Sequence, residues 1–301
     1  MRNSKALLGV VVIGLSAFCS AARGQMKDAG GIPDYERLVQ ASQSGSGGAS
    51  WKLAMHYQDA GKFQDSEYAY RKAVDQMKSG DPGPFANVMD CMGTMYVQMG
   101  RFKEGEQLER KALTIRQEQK DSLGVGLSWM HLAMLSLGRH DNANGEMYAE
   151  LAVERLVQES GETGATGEQK MTALTYLALA RCAADRCKDA TAPLKQAMTI
   201  AESAYSEKSF PVSYVRFLQG YVNWKHGDNR AAAKLMQAGV GGMEAQLGWS
   251  HPTFVSAMQQ YEGFLVATRR NAEASEVREK LARFAGAQTM ASSGNPAALD
   301  Q

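Results

Sequence analysis

The chain is short of cysteine, of proline and of net charge, and each shortage excludes something. Four cysteines and five histidines in 301 residues are scattered without the spacing of a zinc site, so no metal is expected. Lysine and arginine (33) nearly balance aspartate and glutamate (32). No long basic block is present, and that argues against nucleic acid as a partner. Beyond the first 25 residues no stretch of 18 uninterrupted apolar residues occurs, so the mature chain is expected to have no transmembrane segment. Catalytic signatures are missing too: no Gly-rich phosphate loop, no Gly-x-Ser-x-Gly elbow and no His-Glu-x-x-His. No catalytic residue and no cofactor is therefore expected, and the chain reads as not an enzyme. His131 and His140, nine apart across a corner, read as surface or packing residues. Glu104 and Glu106, with Lys103, Arg110 and Lys111 close by, read as a solvated helix face.

What is present favours helices. Hydrophobic residues make up 44% of the chain, with 17 Met against only 7 Pro, enough for a packed core. Residues 1–25 read as a cleaved secretory signal. Arg2 and Lys5 precede the 13-residue apolar run ALLGVVVIGLSAF, and the small residues Ser20, Ala21 and Ala22 follow. An uncleaved anchor is the alternative. Cys19 raises lipidation, against which the bulky Phe18 counts. Removing the signal takes three of the 33 bases and leaves 30 against 32 acids, so the exported molecule is slightly acidic. Periplasm or extracellular space is the expected location, an oxidising setting. Cys182 and Cys187, five apart at a helix–turn–helix corner, fit either a local disulfide or two small thiols, and Cys91 has no obvious partner.

The strongest signal is periodic. Six segments share a register of one turn position and a small residue five further on. The turns are Gly61, Gly100, Gly138, Asp185, Gly227 and Arg269; the small residues are Ser66, Gly105, Ala143, Ala190, Ala232 and Ala274. Apolar side chains usually stand eight residues before the turn, Leu53, Met92, Met130 and Leu177, with Gln219 and Tyr261 in the last two units. Each unit thus reads as a helix, a tight corner and a second helix packing back, and such pairs must stack to bury their apolar faces. Breaks fall at Gly80–Pro84 and at Gly161–Gly167, the latter read as an exposed loop. Pro193 should kink or delay the second helix of the fourth unit. Residues 26–46 hold a lead-in helix over 32–41 and a linker, 47–285 the repeats, and 286–301 a loose tail.

The segments LAMHYQDAGKFQDSEYAYRKAV and MGTMYVQMGRFKEGEQLERKALTI resemble tetratricopeptide repeats. The spacing of about 42, with His251-Pro252 before the last unit, is similar to the longer variant of kinesin light chains. The resemblance covers roughly residues 47–285 and implies an all-α fold, a right-handed α-solenoid of about six antiparallel helix pairs. It also implies that ligands bind the concave face lined by first helices. Counting back from each turn places Trp51, Met55 and Gln58, then Asp90 and Thr94, then Leu132 on that face. Tyr214, Phe217, Tyr221 and Trp224 form an aromatic stripe there, read either as packing or as a peptide-binding groove. The carboxylate clamp of chaperone-binding relatives is missing, since Trp51, Met55, Asp90 and Thr94 stand at its positions.

The function expected is an exported, non-catalytic scaffold that binds a protein or extended peptide, as a monomer or weak homo-oligomer. The alternatives are a helical domain of a cell-envelope hydrolase and a self-associating structural module.

Overall fold

The computed structural model describes residues 35–249 and 251–292. The signal at 1–25 with Cys19, the start of the lead-in segment and the end of the tail lie outside the described residues. Regular structure among the described residues is helical throughout, and the fold is the all-α helix-pair solenoid class. The helices are α1 Tyr35–Gln43, α2 Gly47–Asp59, α3 Phe63–Met77, α4 Pro82–Gln98, α5 Phe102–Glu118, α6 Ser122–Gly138 and α7 Asn142–Val153. A five-residue π-helical turn, Glu154–Gln158, and the one-turn α8, Ser160–Thr163, follow. The rest are α9 Gly167–Ala183, α10 Thr191–Ala204, α11 Phe210–Lys225, α12 Asn229–Leu247, α13 Pro252–Ala267 and α14 Asn271–Ser292.

One backbone device makes every corner. At Gly61, Gly100, Asp185, Gly227 and Arg269 the chain takes positive φ. The next residue's N–H then closes on the carbonyl five back: Lys62 on Tyr57 at 2.8 Å, Arg101 on Tyr96 at 2.8 Å, Arg186 on Arg181 at 2.7 Å, Asp228 on Asn223 at 3.0 Å and Arg270 on Leu265 at 2.9 Å. That bond satisfies a carbonyl the ending helix would leave unpaired. The third corner corrects the sequence register. Its left-handed residue is His140, φ 61°, with Asp141 N–H on the Ser136 carbonyl at 2.9 Å. Gly138 instead ends α6, where a Cβ would lie 2.8 Å from Phe102 Cε1. Its missing side chain serves close packing with Phe102, so the glycine that suggested the turn answers a different need.

With this correction the second helices of all six pairs open two residues past the corner, at Phe63, Phe102, Asn142, Cys187, Asn229 and Asn271. At five of the six corners the residue between corner and helix stabilises the new N-terminus in one of two ways, Lys62 having no side-chain cap bond. Asp141 and Asp228 accept backbone N–H groups of Asn144 (3.3 Å) and Ala231 (3.0 Å). Arg101, Arg186 and Arg270 pair with an acid three residues on: Glu104 at 2.9 Å, Asp189 at 2.9 Å and Glu273 at 2.5 Å.

The described residues divide into two compact units, 35–180 and 181–292. In the first, α2 packs on α3, α4 on α5 and α5 on α6, around a core that includes Leu53, Tyr70, Met92 and Met95. Cys91 is buried there, outside any disulfide. The Gly161–Gly167 break is partly turned inward: Ala165 is buried and its N–H reaches Thr163 Oγ1 at 3.2 Å. In the second, α10 packs on α11, α11 on α12, α12 on α13 and α13 on α14. A 3-10 turn over Cys187–Ala190 delays α10, which places Pro193 in its first turn. The structure joins Cys182 to Cys187 in a disulfide across the Asp185 corner. α14 continues to Ser292, past the point where the sequence suggests a loose tail.

Candidate functional site

The row expected to face a ligand is mostly interior. In the first unit Met55, Asp90, Thr94 and Leu132 are buried, while Trp51 and Gln58 are half-buried. Gln58 accepts from the Tyr70 hydroxyl at 2.7 Å and donates to Gln98 at 2.9 Å, so it ties two helix pairs together. In the second unit Phe217 is fully enclosed, and a Cβ at Gly239 would meet its backbone at 2.8 Å. Tyr214 and Tyr221 are buried as well, and burial pushes both hydroxyls up. The aromatic stripe is thus chiefly packing, as large side chains on tightly apposed helices must be. Trp224 is the member that keeps a half-exposed ring.

Around Trp224 the second unit builds a shelf. The indole stands edge-on to Tyr221 and Phe264, each 5.8 Å away between ring centroids. Lys225 Nζ lies 4.3 Å from the ring centroid, and burial lowers the pKa of that amine. Along α13, Gln259, Gly263 and Val266 are exposed at the ligand-facing register, Val266 by 46%. A Cβ at Gly263 would sit 3.9 Å from Trp224 Cη2, in ordinary contact. Packing therefore does not require glycine there. A glycine in a helix interior costs about 1 kcal/mol relative to alanine, and here it leaves the indole uncovered.

A second feature was not foreseen from sequence. Asp90 on α4, Glu109 and Arg116 on α5 and His131 on α6 are all buried. Arg116 pairs with Asp90 and donates to Ser128 Oγ at 2.7 Å and Asn87 Oδ1 at 2.8 Å. Glu109 Oε2 meets His131 Nδ1 at 3.2 Å. Burial and the nearby Asp90 push the Glu109 carboxyl up. Burial alone would lower His131, but Glu109 beside it outweighs burial and raises it to about 9. Two glycines make the room. A Cβ at Gly93 would lie 3.0 Å from Glu109 Oε1, and one at Gly124 would lie 2.5 Å from Arg116 Cδ. Ligand atoms of Asp90, Glu109 and His131 lie within 4.8 Å of one another, a separation that would suit a metal ion. The Arg116 guanidinium already occupies Asp90, however, and its charge would oppose a dication in this enclosed site. The quartet is a charge-balanced core network. The corrected register shows the missing signal: Glu109 takes the position that Tyr70, Ala149, Leu194 and Met236 fill in four of the other five repeats, with Arg278 in the last.

Comparisons with known proteins agree with this fold. The tetratricopeptide repeat family matches residues 85–118, a stretch running from α4 through α5. That stretch matches the repeat itself, and the helix-pair fold of the chain is similar to that of kinesin light chain repeats. The putative kinesin light chain TPR-like repeats of Podosopora anserina superpose with a TM-score of 0.54 at 15% identity, covering 71% of this chain and 98% of that one. BtubC (BKLC) of P. vanneervenii gives 0.56 at 18% identity, covering 72% and 94%. Aspartyl phosphate phosphatase F of Bacillus subtilis gives 0.59 at 13% identity, covering 96% and 90%. At these identities the likeness is one of fold. No curated protein matches the chain.

Proposed function

We propose that the chain is an exported, non-catalytic scaffold that binds a protein or extended peptide on its first-helix face, with Trp224 as the anchor. The observation that carries this reading is the exposed Gly263 beside the half-exposed Trp224 ring, a helix-weakening residue that packing does not demand. Aromatic anchors of this kind supply much of the energy of protein interfaces. Lys225 over the ring and Gln259 at the edge furnish polar groups to set orientation. Export is supported by the signal-like residues 1–25 and by the Cys182–Cys187 disulfide, which suits an oxidising compartment. The scaffold role is supported by the enclosure of the Asp90–Glu109–Arg116–His131 quartet, which serves packing.

The test is capture of partners from an envelope extract on the immobilised full chain. Trp224→Ala and Val266→Asp should each remove the captured protein while circular dichroism stays unchanged. Undiminished capture by both variants would sink the assignment of this face.

A further inference from the structure

The His251-Pro252 pair of the second unit has a role that the scaffold does not use. Pro252 opens α13 and brings no N–H, so the first backbone donor of that helix belongs to Thr253. It donates to His251 Nδ1 at 3.2 Å, and the helical ladder starts with Val255 N–H on the His251 carbonyl at 3.1 Å. Thr253 and Phe254 are both buried, so water does not readily replace a lost acceptor.

An acceptor nitrogen dictates the charge of this ring. Nδ1 takes the Thr253 N–H through its lone pair, which requires a neutral imidazole with its proton on Nε2. Imidazolium carries a proton on each nitrogen. It would aim a donor at a donor and put a positive charge at the positive end of the helix dipole. Elsewhere the capping side chain is an oxygen, as at Ser46, Asp81, Asp121, Asp141 and Asp228. An oxygen keeps a lone pair in either protonation state, and Nδ1 does not. Burial holds the His251 ring below its ordinary pKa. The charged groups at this turn on the elements packed against α13 are Glu244 of α12 and Lys280 of α14. Glu244 accepts from Trp249 Nε1 at 2.8 Å, and Lys280 Nζ lies 6.0 Å from the Trp249 ring centroid. Trp249 in turn stands edge-on to Phe254, 5.0 Å away between centroids.

We propose that His251 is a pH-operated latch on the start of α13. Neutral imidazole caps the helix; imidazolium, formed in mild acid, releases the Thr253–Phe254 turn and with it the Trp249–Phe254 contact. The sign is opposite to that of His131. The folded chain holds fewer protons at His251 than the unfolded one, so this stabilisation is present above pH 6.5 and is lost as pH falls below it. Gln259, Gly263 and Val266 lie further along the same helix, but the latch stands whatever docks at Trp224.

The experiment is hydrogen exchange of the full chain between about pH 7.5 and about pH 5. It is read by mass spectrometry on the fragment 251–258, corrected for intrinsic exchange rates, beside an NMR titration of the His251 ring. Opening of the turn should rise about fivefold towards the lower pH, the loss of one side-chain cap. The ring should titrate below 6.5. His251→Asn keeps a capping acceptor and does not titrate, so exchange should stay slow at both ends of the range. His251→Ala has no cap and should exchange fast at both. Glu244→Gln keeps an acceptor for Trp249 without the charge and should leave the fivefold change in place. Equal opening of the original chain at the two pH values, or a ring titrating at or above 6.5, would overturn the latch. So would a pH dependence that survives in His251→Asn or His251→Ala, or one that vanishes in Glu244→Gln and so belongs to that carboxylate.

Discussion

Glu109 Oε2 on α5 lies 3.2 Å from His131 Nδ1 on α6, and both side chains are buried. Glu109 makes His131 hold its proton to higher pH, while burial and Asp90 raise the Glu109 carboxyl against the lowering effect of His131. Asp90 and Arg116 face the pair from α4 and α5, and Asp121 adds to the field on Arg116.

This proton sets a pH dependence of stability. In the folded chain His131 titrates near 9, whereas unfolded it would titrate near 6.5. Between those values the folded state binds more protons than the unfolded one, so stability falls as pH rises through that window. The upward shift of Glu109 acts in the same direction. Urea unfolding followed by circular dichroism should show a loss on the order of 2–3 kcal/mol between pH 6.5 and 9. Glu109→Gln should flatten that dependence, because His131 then loses the carboxylate that raises it.

Arg116→Met should destabilise the first unit by about 3–5 kcal/mol, since Asp90 is left buried without its cation. Met77 and Met243 stand at the matching register position elsewhere. The double replacement Asp90→Met with Arg116→Met should recover most of the loss, because the uncompensated charge goes with it. Additive losses in a double-mutant cycle would show that the pair is not acting as a unit.

The third corner separates two histidine and glycine roles that sit two residues apart. His140→Gly should stabilise by up to about 1 kcal/mol, because glycine takes positive φ without the cost that histidine bears. Gly138→Ala should destabilise by about 1–3 kcal/mol, because its methyl group would press on Phe102. Thermal unfolding of the two variants reads both signs. The reverse pattern would restore Gly138 as the turn.

Reducing the Cys182–Cys187 bond should cost about 2 kcal/mol, the loop-closure value for so short a ring. The midpoint of chemical unfolding of the second unit, with and without reductant, measures it.

Much of the fold was legible in the sequence because its corners need a left-handed residue, and Gly61, Gly100 and Gly227 supply one where the chain must turn. Gly138 misled for the same reason: glycine also marks close approach, and only the packing of Phe102 tells the two uses apart. The buried quartet was hidden because periodicity is read from apolar residues, and Glu109 and Arg116 put charges in apolar register positions. The aromatic stripe shows the converse limit. Phe217, Tyr221 and Trp224 share a helical face, but tight packing at Gly239 encloses Phe217 and the glycine at Gly263 uncovers Trp224. Spacing alone carries neither fact.

The most direct test of the central claim is to cover the shelf without disturbing the core. Gly263→Leu adds a side chain against Trp224 in ordinary contact range and replaces a helix-weakening residue with a strong helix former. Thermal unfolding and quantitative partner capture from an envelope extract should be measured on the same preparation. The account predicts a midpoint equal to or above that of the original chain, with capture reduced at least about tenfold, as expected for a blocked anchor. A variant that is equally stable and captures its partner undiminished would contradict binding at Trp224.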